Sequence, residues 1–219
     1  MIFREREREL SIADVGCGYG TNIPMLRKYG NVTALELNDE AISGLKEKFG
    51  EQIDIIKWKS PDKINRKFDL ILLADVLEHI PNDKEAVLWT YEHLNNGGYA
   101  LLTVPAHQFF WSQMDEVVHH YRRYGHKIFL NLFKDKFIIK KISFYNFFLF
   151  PVKIAFVIFS HITKFLFPNK EKRSYNETPP KFINLIFKYI LYFEAKLIRY
   201  FSLPFGVSLI ILVQKPRSS

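Results

Sequence analysis

The sequence predicts an open α/β fold with a mostly parallel sheet, and three observations carry that expectation. Short apolar runs alternate with amphipathic stretches from Leu10 to about Phe144. A glycine cluster, Asp14-Val15-Gly16-Cys17-Gly18-Tyr19-Gly20, follows the first apolar run directly. The second run ends on an acid, Ala34-Leu35-Glu36, about 20 residues past the first glycine.

In chain order, strands are expected at Leu10–Val15, Val32–Glu36, Ile53–Lys57, Phe68–Leu73 and Tyr99–Val104. Helices are expected between them, near Asn22–Tyr29, Asp39–Phe49 and Asp83–Leu94. Asn96, Gly97 and Gly98 are read as the turn into the fifth strand. Phe137–Phe144 and Val207–Val213 complete the set as two further strands.

The region between those last two strands is different. Residues 144–204 hold 17 of the 35 aromatic residues and carry +6 of the net charge of +8. Polar residues there fall along stripes at helical spacing: Lys153, Ser160, His161 and Lys164, then Lys181, Asn184, Lys188, Tyr192, Lys196 and Arg199. The remaining positions are almost wholly Phe, Ile, Leu and Tyr, which predicts a helical hairpin with a narrow basic stripe on wide apolar faces. That pattern suits a helix lying in an anionic membrane interface, while packing on the sheet edge or dimerisation is the plainer use of it. Pro168–Pro180 reads as a polar linker between the two helices. Neither helix offers about 20 uninterrupted apolar residues, so a membrane span is not expected. The expected domains are residues 1–145, an insertion at 146–204, and a last strand and tail at 205–219.

Composition narrows the chemistry. The single cysteine, Cys17, excludes an intrachain disulfide and a cysteine-based zinc site, and no metal site is predicted. The charged, non-apolar N-terminus does not read as a secretory signal, so a reducing, cytoplasmic setting is expected. Excess positive charge suggests an anionic partner.

Glycines at a strand-to-helix turn let the backbone pass close to a ligand, and the acid beyond the second strand reaches the ribose hydroxyls of an adenosine cofactor. Separately, each feature suits a tight turn and a solvated glutamate; together they predict a cofactor site. A dinucleotide fold wants a third glycine where this chain has Thr21. DVGCGYG, ALELN, FDLILLADVLEHI and LNNGGYALLTVP resemble, in order, motifs of class I S-adenosylmethionine-dependent methyltransferases. The resemblance implies a Rossmann-like, seven-stranded, mostly parallel sheet with an antiparallel last strand, and S-adenosylmethionine as cofactor. It assigns Asp14, Gly16 and Gly18 to the methionine portion, Glu36 to ribose, Leu37 to the adenine face and Asp75 to the vicinity of the sulfonium. Where relatives place an Asp after the third strand, this chain reads Lys57-Trp58-Lys59-Ser60-Pro61-Asp62, so Ser60 takes the adenine position, with Asp62 as substitute.

Beyond the fifth strand, Ser112, Asp115, His120, Arg122, Arg123 and Tyr124 resemble the acceptor-side pattern of a methyltransferase subgroup with an apolar insertion before its last strand. A hydroxyl acceptor must lose its proton, and histidine is suited to take it near neutral pH. His120, oriented by Asp115, is the first candidate base and His79 the second. Trp111, Arg122, Arg123 and Tyr124 are the candidate acceptor-binding residues, although Asp115 and the arginines could equally pair to pin a loop. The expected function is O-methylation of a small, lipid-linked or membrane-proximal acceptor by a protein peripheral on the inner face of a membrane. Nucleic acid is the less suitable acceptor: the fourth motif reads Ala74-Asp75-Val76-Leu77 rather than the Asn/Asp-Pro-Pro-aromatic string of base-amine methylators. A membrane accessory protein that binds the cofactor without turnover is the alternative from another class.

Overall fold

The computed structural model describes residues 9–166 and 180–217. The chain runs β1 Leu10–Val15, α1 Ile23–Leu26, β2 Gly30–Glu36, α2 Asp39–Phe49, β3 Asp54–Lys57, β4 Phe68–Ala74, α3 Asp83–His93 and β5 Leu94–Pro105. It continues with α4 Gln113–Val117, α5 His126–Asn131, β6 Ile138–Tyr145, α6 Phe150–Leu166, α7 Lys181–Tyr200 and β7 Ser208–Gln214. Seven strands form one sheet in the order β3-β2-β1-β4-β5-β7-β6. The first five are parallel, and β7 runs antiparallel to both β5 and β6. The predicted fold class is therefore the observed one.

The order reverses between β1 and β4, because β2 and β3 lie to one side and β5 to the other. Loops leaving the carboxyl ends of those two strands diverge and open a crevice, the usual ligand position in such sheets. β4 is buried through six consecutive residues, Phe68–Leu73. Its one charged side chain, Asp69, is stitched to neighbouring strands: Ser11 N and Asn95 Nδ2 donate to its carboxylate at 3.1 and 3.0 Å. Apolar layers cover both faces, one around Phe68, Trp89, Phe129, Phe133 and Ile211, the other around Ile12, Ile23, Leu45 and Phe49.

Local sequence explains the helices that match expectation. Asn38 Oδ1 accepts from Ala41 N at 2.9 Å and caps α2, whose first turn carries Asp39 and Glu40 and whose last carries Lys46 and Lys48, all favourable to the helix dipole. Asn82 caps α3 in the same way through Glu85 N.

Two expectations are corrected. The helix expected at Asn22–Tyr29 is a single turn, Ile23–Leu26, because the Tyr29 carbonyl is drawn into the sheet by Leu10 N at 3.1 Å. Asn96-Gly97-Gly98 is a bulge inside β5, not a turn before it, and pairing with β4 jumps there from Phe68–Leu94 to Leu70–Tyr99. The segment after β7 causes this: Gly97 N donates to Lys215 O, Lys215 N to Gly98 O, and the Lys215 ammonium to the carbonyls of Tyr91 and Leu94.

The insertion forms two helices, as expected. Glu194 of α7 is buried and accepts from the main-chain amides of Asn146 and Phe148, which fastens the helix to the end of β6. Its opposite side exposes Phe182, Leu185, Ile186, Tyr189 and Phe193, with Lys188, Lys196 and Arg199 exposed beside them. The linker positions 168–179 lie outside the described residues, as do the side chains of Ser160, His161, Lys164 and Lys181. Among the described residues, no helix is long and apolar enough to cross a membrane.

Candidate active site

The loop after β1 carries Gly16 at φ 61° and Gly18 at φ 54°, both in the left-handed region that disfavours side chains. A Cβ on Gly16 would meet Val76 at 2.9 Å, so this glycine lets the loop lie against the segment after β4. A Cβ on Gly18 would meet nothing within 4 Å and would instead occupy the crevice. Glu36, at the end of β2, reaches across to this loop. Its Oε2 accepts from Gly18 N at 2.7 Å, and its Oε1 accepts from Leu37 N and Asn38 N at 2.8 and 2.9 Å. With two donors already on Oε1, the second oxygen is the one that can take a further donor.

Asp14, next to last in β1, is 1 % exposed, and its Oδ2 has no hydrogen-bond partner. Burial, reinforced by the Glu36 carboxylate, pushes its pKa up to about 7. Ser60 Oγ, beyond β3, is another buried polar atom without a partner. The Asp62 main-chain oxygen accepts from Trp58 and Trp89 at 2.6 and 2.8 Å, while Asp62 itself is exposed. Leu37 is 51 % exposed. Gly16, Gly18, Asp14 and Glu36 thus meet at the carboxyl ends of β1 and β2, with Ser60 following β3 on the far side of β2. Buried acceptors awaiting donors, beside a backbone without side chains, fit the methionine amine, ribose and adenine of S-adenosylmethionine.

The misfit of an unliganded Asp14 has a measurable consequence. Its folded pKa is raised, so between about pH 4 and pH 7 the folded state keeps a proton that the unfolded state releases. Stability of the ligand-free protein should fall with rising pH across that window. Asp14→Asn removes the titration, so the variant should match or exceed the wild type in thermal stability at pH 8, by up to roughly 3–4 kcal/mol. At pH 4 the difference should be small, and cofactor affinity should drop in the variant. A pH series of melting curves checks it; a variant that melts lower than wild type at pH 8 would contradict the burial argument.

On the other wall, Asp75 turns the chain out of β4 at φ 55° and pairs with Thr103, whose Oγ1 donates to Asp75 Oδ1 at 3.2 Å. The surrounding protein raises the Asp75 carboxyl, with Thr103 and His120 pulling the other way. Glu78, in the short turn Leu77–His79, is completely buried with both carboxylate oxygens unpartnered, and burial pushes its pKa up to about 8. His79 follows it, its pKa lowered by burial and by the neighbouring His120.

The segment between β5 and α5 closes on itself, with His107 N donating to Tyr124 O and Tyr124 N to Pro105 O. Inside it, Ser112 donates through N and Oγ to Asp115 Oδ2, at 2.9 and 3.1 Å, which fixes the start of α4. Asp115, 1 % exposed, also binds His120 Nδ1 at 2.9 Å and the Arg123 fork at 2.7 and 3.2 Å. Burial alone would raise the Asp115 carboxyl, but Arg123 and His120 outweigh it and hold it below the usual range. His120 Nε2 is left facing Glu78, with Oε1 4.0 Å away, and the His79 and His120 rings meet edge to face at 4.6 Å.

The structure therefore brings His120, Asp115, His79 and Asp75 together. It turns the other three polar acceptor candidates toward the protein itself. Arg123 is held by Asp115. Arg122 pairs with Asp83 at 2.9 Å and donates to Pro81 O, while the buried Tyr124 hydroxyl donates to Asp83 and Leu77 O. These three pin the loop. Trp111 is half-buried. Glu78 is the residue that sequence reasoning passed over. It sits inside the FDLILLADVLEHI motif, and no local signal marks its carboxylate as buried. Thr103 and Tyr145, both facing Asp75, carry no sequence signal at all.

Comparison with known proteins agrees with this geometry. The ubiquinone biosynthesis O-methyltransferase of Rickettsia canadensis (strain McKiel) is 30 % identical over 100 residues, 43 % of this chain and 42 % of that protein. The chain thus spans about two-fifths of the length of the curated relatives it matches. In fold it resembles the plantazolicin methyltransferase BpumL in complex with SAH, with TM-score 0.60, 16 % identity and coverage of 99 % and 79 % of the two chains. It also resembles N-methyltransferase NodS from Bradyrhizobium japonicum WM9 in complex with S-adenosyl-L-homocysteine, with TM-score 0.55, 12 % identity and coverage of 95 % and 80 %. A family model described as methyltransferase domain matches residues 2–146, most of the chain and every residue of the crevice described above. The chain belongs to the methyltransferase-domain family, in its S-adenosylmethionine-dependent class I.

Proposed function

We propose that the protein transfers a methyl group from S-adenosylmethionine to an oxygen of a small acceptor that is lipid-linked or held at a membrane surface. The observation that carries the oxygen chemistry is the buried Asp115–His120 pair at the mouth of the crevice. Asp115 accepts from Nδ1–H, which fixes the tautomer and leaves the Nε2 lone pair to act on an acceptor hydroxyl. Bound S-adenosylmethionine supplies an electrophilic methyl on sulfur. The residues of this chain hold and align: Glu36 takes ribose, Asp14 the methionine amine, and Ser60 the adenine side, with Leu37 along the ring. The loop fastened by Arg122, Arg123 and Tyr124 limits access of water. Relatives named as O-methyltransferases of ubiquinone biosynthesis support an oxygen acceptor.

The membrane part of the reading rests on α7, which exposes apolar side chains and cations together. A helix meant only to pack would bury that apolar side and gain nothing from the cations. Each Lys or Arg near an anionic surface contributes about 1 kcal/mol. The protein should therefore pellet with phosphatidylglycerol vesicles, peripheral on the cytoplasmic leaflet. Reversing charge at Lys181, Lys188, Lys196 and Arg199 should release it without unfolding the sheet. Equal pelleting of both forms would reduce the insertion to a packing element. The function itself is tested by incubating the protein with methyl-labelled S-adenosylmethionine and a membrane lipid extract. Label should enter an organic-soluble product. Label that enters only RNA, or no product at all, would overturn the assignment.

A further inference from the structure

Three metal-ligating side chains converge where the segment after β4 meets the acceptor loop. Glu78, His79 and His120 each offer one ligand atom, and these atoms lie within 4.8 Å of one another. Glu78 is completely buried, and neither of its oxygens has a hydrogen-bond partner. A carboxylate in that condition needs a cation or a donor. His120 does not supply a hydrogen bond, since Nε2 stands 4.0 Å from Glu78 Oε1.

The His120 imidazole is already oriented as a ligand. It commits Nδ1 to Asp115 at 2.9 Å, and Asp115 is locked in turn by Ser112 and Arg123. The other nitrogen of His120 is left as a lone pair. That lone pair and a ring nitrogen of His79 stand beside a buried carboxylate with nothing to accept from, and a partner on the far nitrogen is what orients a histidine toward an ion. Arg123 is tied to Asp115, so it does not provide the missing charge. The Asp75 carboxylate interacts electrostatically with both Glu78 and His120, so a divalent cation there would meet two carboxylates.

We propose that Glu78, His79 and His120 bind one first-row divalent cation, with Asp115 orienting the His120 imidazole. Two imidazoles and a carboxylate suit zinc or manganese, and three protein ligands leave coordination positions open. Ligand distances near 2.1 Å require the side chains to close inward by rotation. The exposed His79 edge gives the ion a path in. Resting on the methyl-transfer reading, the open positions would take the acceptor oxygen and lower its pKa, the proton leaving to bulk water, and His120 would then hold the ion instead of taking that proton itself.

Untagged, chelator-stripped protein should be titrated with zinc chloride and, separately, manganese chloride in a calorimeter, without cofactor or acceptor. One equivalent of at least one ion should bind, and Glu78→Gln and His79→Ala should each weaken binding at least tenfold. Asp115→Asn should weaken it about tenfold through His120. S-adenosylmethionine affinity, measured on the same variants, verifies that they fold. Absence of saturable uptake of either ion by the wild type would overturn the proposal, as would equal uptake by a folded Glu78→Gln protein. Methyl transfer that persists undiminished in the stripped protein would leave the methyltransferase reading standing and confine the ion to a role outside the reaction. An ion that binds as described in a protein without turnover would do the reverse.

Discussion

His120→Ala is expected to slow methyl transfer by about 10²–10⁴, the usual contribution of a group that takes the acceptor proton, while S-adenosylmethionine affinity stays near that of the wild type. The asymmetry follows from position. His120 lies on the acceptor loop beyond β5, and its contacts are Asp115, Glu78 and His79, none of which belongs to the glycine loop or to Glu36. Asp115→Asn should reproduce part of the loss, because the amide no longer fixes the tautomer and leaves Arg123 without its bidentate partner. His79→Ala separates two mechanisms. A base acting alone makes His120→Ala severe and His79→Ala mild, whereas a shared ion makes the two losses similar. Single-turnover rates alongside equilibrium cofactor binding read both quantities. Full turnover in His120→Ala would show that the acceptor is a group that needs no proton removed.

The second large effect is on cofactor binding. Glu36→Ala should weaken S-adenosylmethionine at least tenfold, since one hydrogen bond to a carboxylate contributes roughly 1.5–3 kcal/mol and tenfold is about 1.4 kcal/mol. The structure adds a second source of loss. Glu36 also receives Gly18 N, Leu37 N and Asn38 N, so the substitution releases the glycine loop as well as the ribose. Glu36→Gln tells the two apart: its carbonyl oxygen still braces the amides at reduced strength, so it should lie between wild type and Glu36→Ala. Gly18→Val should lose at least as much by a different route. Its Cβ would meet no protein atom within 4 Å and would project into the crevice, on a backbone at φ 54° that valine resists. Calorimetric affinities equal to wild type in folded Glu36→Ala would remove Glu36 from the site.

The strands, and the residues proposed for the cofactor half of the site, were legible in the sequence because both are local in origin. Apolar run length sets a strand, and a glycine turn followed by an acid at the next strand end needs only one βαβ unit to be assembled. The proposed adenine side was less legible, since only the fold shows that Ser60 Oγ is buried without a partner. At Asn96–Gly98 local turn chemistry misled, because Lys215, just after β7 and more than a hundred residues away in sequence, supplies the pairing that keeps this stretch in the strand.

The acceptor half was decided by tertiary structure. Sequence places Asp115, His120, Arg122, Arg123 and Tyr124 in one loop but cannot say which side chains face one another. Only the fold shows that Arg123 spends its fork on Asp115, that Arg122 and Tyr124 fasten on Asp83, and that Asp115 still has an oxygen for His120. Glu78 makes the same point most sharply. By residue type it reads as a solvated acid in a turn; it becomes a buried, unpartnered carboxylate because the loop beyond β5 folds over it and binds its carbonyl through Tyr121 N at 2.8 Å. Period and turn chemistry fix what a residue does along the chain. Desolvation depends on what the rest of the chain lays on top, and that is where the chemistry of this site was set.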